Sequence, residues 1–201
     1  MDINLFRVEN SVYLKKVKTK VEVLKSDDCD GYLIDADEKT ARRIVESLKK
    51  SGKIIGVVGG DDVFNRRIIE TLKIDYLVSP EREQSKIAGV SGYRSIGGSG
   101  RVDNLKQRDS GLNHVVAKIA RDKKVLIVFD FGSVRKLEGK EKALRISRLI
   151  QNVKICRKVK CGIRIASLSC LKGEIVGEKE RKAFGASLGM SSEQVADCVR
   201  F

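Results

Sequence analysis

His114 is the only histidine among 201 residues. It sits near the start of a helix-patterned segment, SGLNHVVAKIARDKK, where an imidazole can act as a general base, as a hydrogen-bonding or stacking contact, or within a local cap. Nucleophilic catalysis would also need a Ser or Cys partner and an orienting acid, and no spacing in the chain identifies that set. Four small polar residues, Asp35, Ser79, Asp130 and Ser167, end apolar runs, where ligands gather in parallel α/β sheets and barrels. A hydrolytic metal centre normally collects several His and carboxylate ligands. One histidine argues against such a centre, while an all-carboxylate magnesium site stays open.

Positive charge is the more abundant chemistry. The formal net charge is +14, and the segment from Lys106 to Lys182 holds 21 Lys and Arg against 8 Asp and Glu, so nearly all of the excess is regional. A basic region of this size suits a polyanion, through phosphate neutralisation and counterion release. An anionic membrane is the weaker partner, because the chain has no Trp and no amphipathic helix with an aromatic apolar face.

The sharpest local pattern follows the same logic. Ser110 is placed to cap a helix in which Leu112, Val115, Val116, Ile119 and Ala120 form an inward stripe. That leaves His114, Lys118 and Arg121 along one polar flank, Lys123 and Lys124 at the end, and Arg108 just before the start, beside free amide groups that favour anions.

Strand and helix signals alternate around this segment. Apolar runs short enough for strands occur at 31–35, 53–58, 75–79, 125–129 and 163–168, with weaker candidates at 2–6 and Lys20 to Leu24. Between them, Asp37 can cap a helix burying Ala41, Ile44, Val45 and Leu48, and Asp61 or Asp62 can start one burying Phe64, Ile68 and Leu72. A long basic helix is expected over Glu141 to Lys160 with Ile146, Leu149, Ile150, Val153 and Cys156 inward, and Ser191 with Gln194 has capping-box spacing. This order implies parallel strands, right-handed crossovers and outer helices. Periodicity alone leaves an incomplete barrel and an open doubly wound sheet both standing. One domain over 1–201 is expected, with a flexible Gly-rich insertion at about 82–105. Neither GxGxxG nor Walker spacing occurs in that insertion; its arginines and lysine suit ordering over a phosphate backbone.

Composition bounds the rest. With 41% apolar and 34% charged residues the chain reads as a soluble globular protein. No apolar run nears the roughly 20 residues that cross a bilayer, and the N-terminus lacks signal-peptide features, so a cytoplasmic protein is expected. Five cysteines, with no CxxC pair, suggest reduced, mostly buried thiols.

Four segments together carry a family resemblance: DYLVSP (75–80), RDSGLNHVVAKIARDKKVLIVFDF (108–131), GIRIASLS (162–169) and FGASLGMSSEQV (184–195). From about Lys53 to Val199 the chain resembles the ribonuclease P protein component 3 family, the p30 subunit of eukaryotes. The resemblance implies a TIM-barrel-like parallel α/β barrel related to the polymerase and histidinol phosphatase (PHP) superfamily, complete or incomplete, with helices outside. It implies a subunit of ribonuclease P, the endoribonuclease whose RNA, using Mg2+, removes 5′ leaders from precursor tRNA. The protein would then bind no cofactor and supply no catalytic group. Its partners would be the ribonuclease P RNA, precursor tRNA through the complex, and a small α/β subunit of the same particle. Arg67, Arg108, His114, Lys118, Lys123 and Lys179 are the RNA-facing or motif-supporting positions that the matched motifs imply. Metalloenzymes of the superfamily open with H-x-H, whereas this chain opens Asp2-Ile3-Asn4, in keeping with loss of metal chemistry. A metal-dependent phosphoesterase of that superfamily and a general RNA-binding protein are the competing readings.

Overall fold

Aliphatic runs too short to make helices pair side by side in this chain. The structure, a computed structural model, describes residues 2–9, 11–24, 28–78, 110 and 112–201; the expected insertion at 82–105, with Ser79 and Arg108, lies outside the described residues. Seven strands follow one another in sequence order, every neighbouring pair parallel. They are β1 (Asp2–Asn4), β2 (Ser11–Val17), β3 (Gly31–Ile34), β4 (Ile54–Val58), β5 (Tyr76–Val78), β6 (Leu126–Asp130) and β7 (Ile163–Ala166). Beyond the last strand the Leu168 N–H donates to the Ile3 carbonyl at 3.0 Å, and Leu5 N–H to the Ser169 carbonyl at 3.0 Å. The chain thus returns to β1, and the sheet is a nearly closed barrel rather than an open doubly wound sheet. Leu168 takes φ 44° at that seam, a left-handed conformation costly for a residue with a β-carbon.

Strand alternation divides the apolar residues between two cores. Ile3, Val12, Leu14, Leu33, Tyr76, Val78, Val128 and Ala166 pack together inside the barrel. Their neighbours of opposite parity, including Ile34, Val57, Leu77, Ile127, Phe129, Ile163 and Ile165, pack against the helices. Among the described residues those helices are α1 (Lys20–Leu24), α2 (Glu38–Leu48), α3 (Asp62–Thr71), α4 (His114–Asp122), α5 (Phe131–Lys136), α6 (Gly139–Val159), α7 (Glu178–Ser187) and α8 (Ser192–Asp197). None is long and apolar enough to cross a membrane.

Caps begin several of them where the sequence places one. Asp37 accepts from Lys39 N and Thr40 N at 3.0 and 3.2 Å, Asp61 accepts from Phe64 N at 2.8 Å, and Ser191 and Gln194 bond reciprocally at 3.3 and 3.1 Å. The expected inward residues of α2 are all buried. All five cysteines are free thiols, four of them buried.

Three expectations need correction. Lys20 to Leu24 is the helix α1, not a strand: the Glu22 carboxylate accepts from Lys18 N at 2.7 Å and caps a turn that the two valines alone would not favour. Ser11–Val17 is a strand absent from the expected set, because Lys15 and Lys16 break its apolar run; Lys16 pairs instead with Asp35 at 3.3 Å. On α6, Ile146 and Ile150 are only half-buried, and Arg145, Arg148 and Asn152 are buried beside Leu149, Val153 and Cys156.

Candidate nucleic-acid interface

Polar residues at the strand ends are engaged with one another. Ser167 follows β7; its Oγ donates to Asp2 Oδ2 at 2.6 Å, its N–H donates to Asp2 Oδ1 at 3.1 Å, and its Oγ accepts from Val176 N at 3.0 Å. Arg181 of α7 reaches the same Asp2 carboxylate at 3.2 Å, with both side chains buried. Asp35, also buried, holds Lys16. Asp130 ends β6 and caps α5, accepting from Ser133 N at 3.1 Å. Its withdrawal from water pushes the carboxyl up to about 7, against the pull of the Ser133 N–H, the Arg145 and Lys16 charges and the Gly132 N–H. Gly132 is required there, since a β-carbon would lie 2.2 Å from the Ser167 carbonyl oxygen. Among the described residues no group of three or more His, Cys, Asp or Glu is placed to hold a metal ion.

The helix surface is different. The N-cap of α4 is Asn113 rather than Ser110: Asn113 Oδ1 accepts from Val116 N at 2.9 Å, and its Nδ2 donates to Asp62 on α3 at 3.2 Å. Ser110 is buried and donates to the Leu112 carbonyl at 3.2 Å. The later start rotates the stripe, so Val116, Ala117 and Ala120 are buried while Val115 stands 40% exposed. His114 and Lys118 are exposed on this helix, and Lys123 and Lys124 are exposed just past its end. Arg121 does structural work: its guanidinium holds Asp122 at 2.6 Å and donates to the Val159 carbonyl of α6 at 3.2 Å. That bond brings the ends of α4 and α6 together, so Lys154, Lys158 and Lys160, exposed on or beside α6, extend the basic surface.

The site residues implied by the resemblance therefore do not form one patch. His114, Lys118 and Lys123 share α4 and its end. Arg67, on α3, is exposed but pairs with Glu38 at 3.3 Å, a carboxylate it shares with Arg42. Lys179 is exposed in the first turn of α7, at the end of the barrel opposite Lys123, because helices here run antiparallel to strands. Arg108 lies outside the described residues. Part of the regional charge is spent internally, with Arg145, Arg148 and Arg181 all buried. Within the basic helix expected over Glu141 to Lys160, periodicity does not single out Lys154 and Lys158, although the helix C-terminus, where cations offset the macrodipole, is a signal for them.

No protein-family model matches the chain. Among curated proteins, ribonuclease P protein component 3 of Methanococcoides burtonii is 23% identical over 178 residues, covering 85% of this chain and 64% of the relative. The protein of the same name from Methanocaldococcus jannaschii is 25% identical over 171 residues, with the same two coverages. That of Halorubrum lacusprofundi is 31% identical over 124 residues, covering 61% and 41%. The chain thus spans less than two thirds of the length of these relatives. Among solved structures, archaeal ribonuclease P with mature tRNA contains a chain that matches with TM-score 0.63 at 19% identity, covering 98% of this chain and 87% of that one. An amidohydrolase matches with TM-score 0.59 at 9% identity, covering 90% and 42%, a likeness of the barrel alone. Seven curated proteins of one name match, over up to 85% of this chain's length, so the chain is similar to ribonuclease P protein component 3.

Proposed function

We propose that this chain is a protein subunit of ribonuclease P. It binds and stabilises the RNA that removes 5′ leaders from precursor tRNA, and it meets the tRNA through the assembled particle. One observation supports this beyond the relatives' shared name: the exposed lysines of α4 and α6 stand on one continuous surface with no carboxylate ion pair among the described residues. Such cations neutralise phosphates where RNA segments approach closely, so the compact RNA fold forms at lower magnesium concentration. Bond cleavage is left to the RNA and its Mg2+, and the protein contributes no catalytic side chain and no bound cofactor. A small α/β subunit of the same particle is the expected protein partner, and the cytoplasm the expected compartment.

Reconstitution tests this reading. Purified protein with precursor tRNA and Mg2+ should leave the substrate intact, while its addition to the RNA and sister proteins should restore cleavage and lower the magnesium required. Leader removal by the protein alone, or no gain on adding it to the particle, would reject the proposal.

A further inference from the structure

Only three described residues other than glycine adopt positive φ, and two of them are lysines: Lys124 at 59° and Lys160 at 56°. Both follow a helix in the position where glycine fits without steric cost and a side chain is disfavoured. The two turns repeat one hydrogen-bond pattern. After α4, Val125 N–H donates to the Ala120 carbonyl at 2.8 Å and Lys124 N–H to that of Arg121 at 3.0 Å. After α6, Cys161 N–H donates to Cys156 at 2.9 Å and Lys160 N–H to Arg157 at 3.2 Å. They are neighbours in space, since they lead into the adjacent strands β6 and β7, joined at this edge by Ile127 N–H to the Gly162 carbonyl at 3.0 Å.

We infer that these paired turns form a phosphate grip: Lys124 and Lys160, flanked by Lys123 and Lys158, seat the backbone of a double-helical RNA at the end of the barrel where the strands begin. The inference rests on the proposed RNA-binding role and assigns it a location. The helix macrodipole alone explains cations in a last turn, and Arg157 and Lys158 already meet that need on α6. It does not explain lysine in the left-handed position itself, twice, in adjacent turns. No ion pair to a carboxylate is formed by either lysine among the described residues, and Asp122, two positions before Lys124, is held by Arg121. The Arg121 bond to the Val159 carbonyl fixes the separation of the turns, so the grip is preorganised to match a backbone by shape rather than by base sequence.

The double variant K124G/K160G separates the grip from a cap, since glycine suits both backbone positions and removes only charge and side chain. Binding to a mixed-sequence RNA duplex of about 20 base pairs, a length that spans successive minor grooves, is followed by fluorescence anisotropy between about 50 and 200 mM salt. The expected result is a roughly tenfold loss of affinity and a log–log salt slope smaller by about two, with the melting temperature equal to or above that of the unmodified protein. K20A/K39A removes the same charge from helices at the other end of the barrel and should keep the original slope. Unchanged binding by K124G/K160G, an equal loss in K20A/K39A, or no binding of the duplex by the unmodified chain would overturn the grip. Reconstituted cleavage reads the underlying role separately: an unmodified chain that restores cleavage keeps that role even if the grip fails.

Discussion

Asp130 illustrates how a single side chain couples the barrel to pH. Its folded-state carboxyl titrates near 7, above the ordinary value near 3.8, so between those two values the folded protein binds more protons than the unfolded chain. Stability from this group is therefore present at acid pH and is lost as pH rises through about 7. Asp130→Asn keeps an acceptor for Ser133 N and a competent helix cap. Denaturant unfolding from pH 4 to 8 should show the variant gaining on the parent as pH rises, by up to a few kcal/mol at pH 8; parallel curves would refute the shift. Residues of this kind were only half legible in the sequence. Asp37, Asp61 and Ser191 act through the next turn of chain, and spacing finds them. Arg67 pairs with Glu38 across 29 positions, and periodicity carries no information about such a partner.

At the scale of the element, α4 shows how one residue resets a helix. With Asn113 as cap, the helix starts at His114 and its buried face shifts to Val116, Ala117 and Ala120. Asn113→Ala removes the bond to Val116 N and the tie to Asp62 on α3, so a loss of about 1 kcal/mol in unfolding free energy is expected, with no change in the wavelength or depth of the helical circular dichroism bands. A loss below measurement error would place the cap elsewhere. The long helix α6 was legible in length and poorly legible in facing, since Arg145 and Arg148 occupy buried positions that hydrophobic patterning assigns to Ile146 and Ile150. Long arginine stems pack as apolar material, and a reading based on charge sends them to solvent. The omission of β2 has the same root: Lys16 looks solvent-bound until Asp35 is seen beside it.

For the whole molecule, closure depends on the buried group of Asp2, Ser167 and Arg181. Arg181→Ala leaves Asp2 in a low-dielectric site with neutral hydrogen bonds from Ser167 and the Ile3 N–H but no counter-charge, and a cost of about 3 to 5 kcal/mol is expected; Arg181→Met, which refills the volume, still strands the carboxylate. Pairing it with Asp2→Asn should recover much of that loss, and a double variant as unstable as the single one would argue that the ion pair contributes little. Class and strand order were legible because alternating apolar runs leave few topologies. Closure was not, since it rests on backbone bonds from Ile3 and Leu5 to a segment more than 160 positions away, which no local pattern records.

That seam carries a consequence for synthesis. During translation β1 keeps one bare edge until Leu168 and Ser169 leave the ribosome, so the strands before that seam wait as an unsealed sheet. An exposed strand edge invites pairing with other chains, and slow, long-range pairing prolongs the interval. Nascent chains halted before the seam should therefore depend on chaperones far more than those extended past it, and the segment around Leu168 and Ser169 acts as the latch that ends that vulnerability.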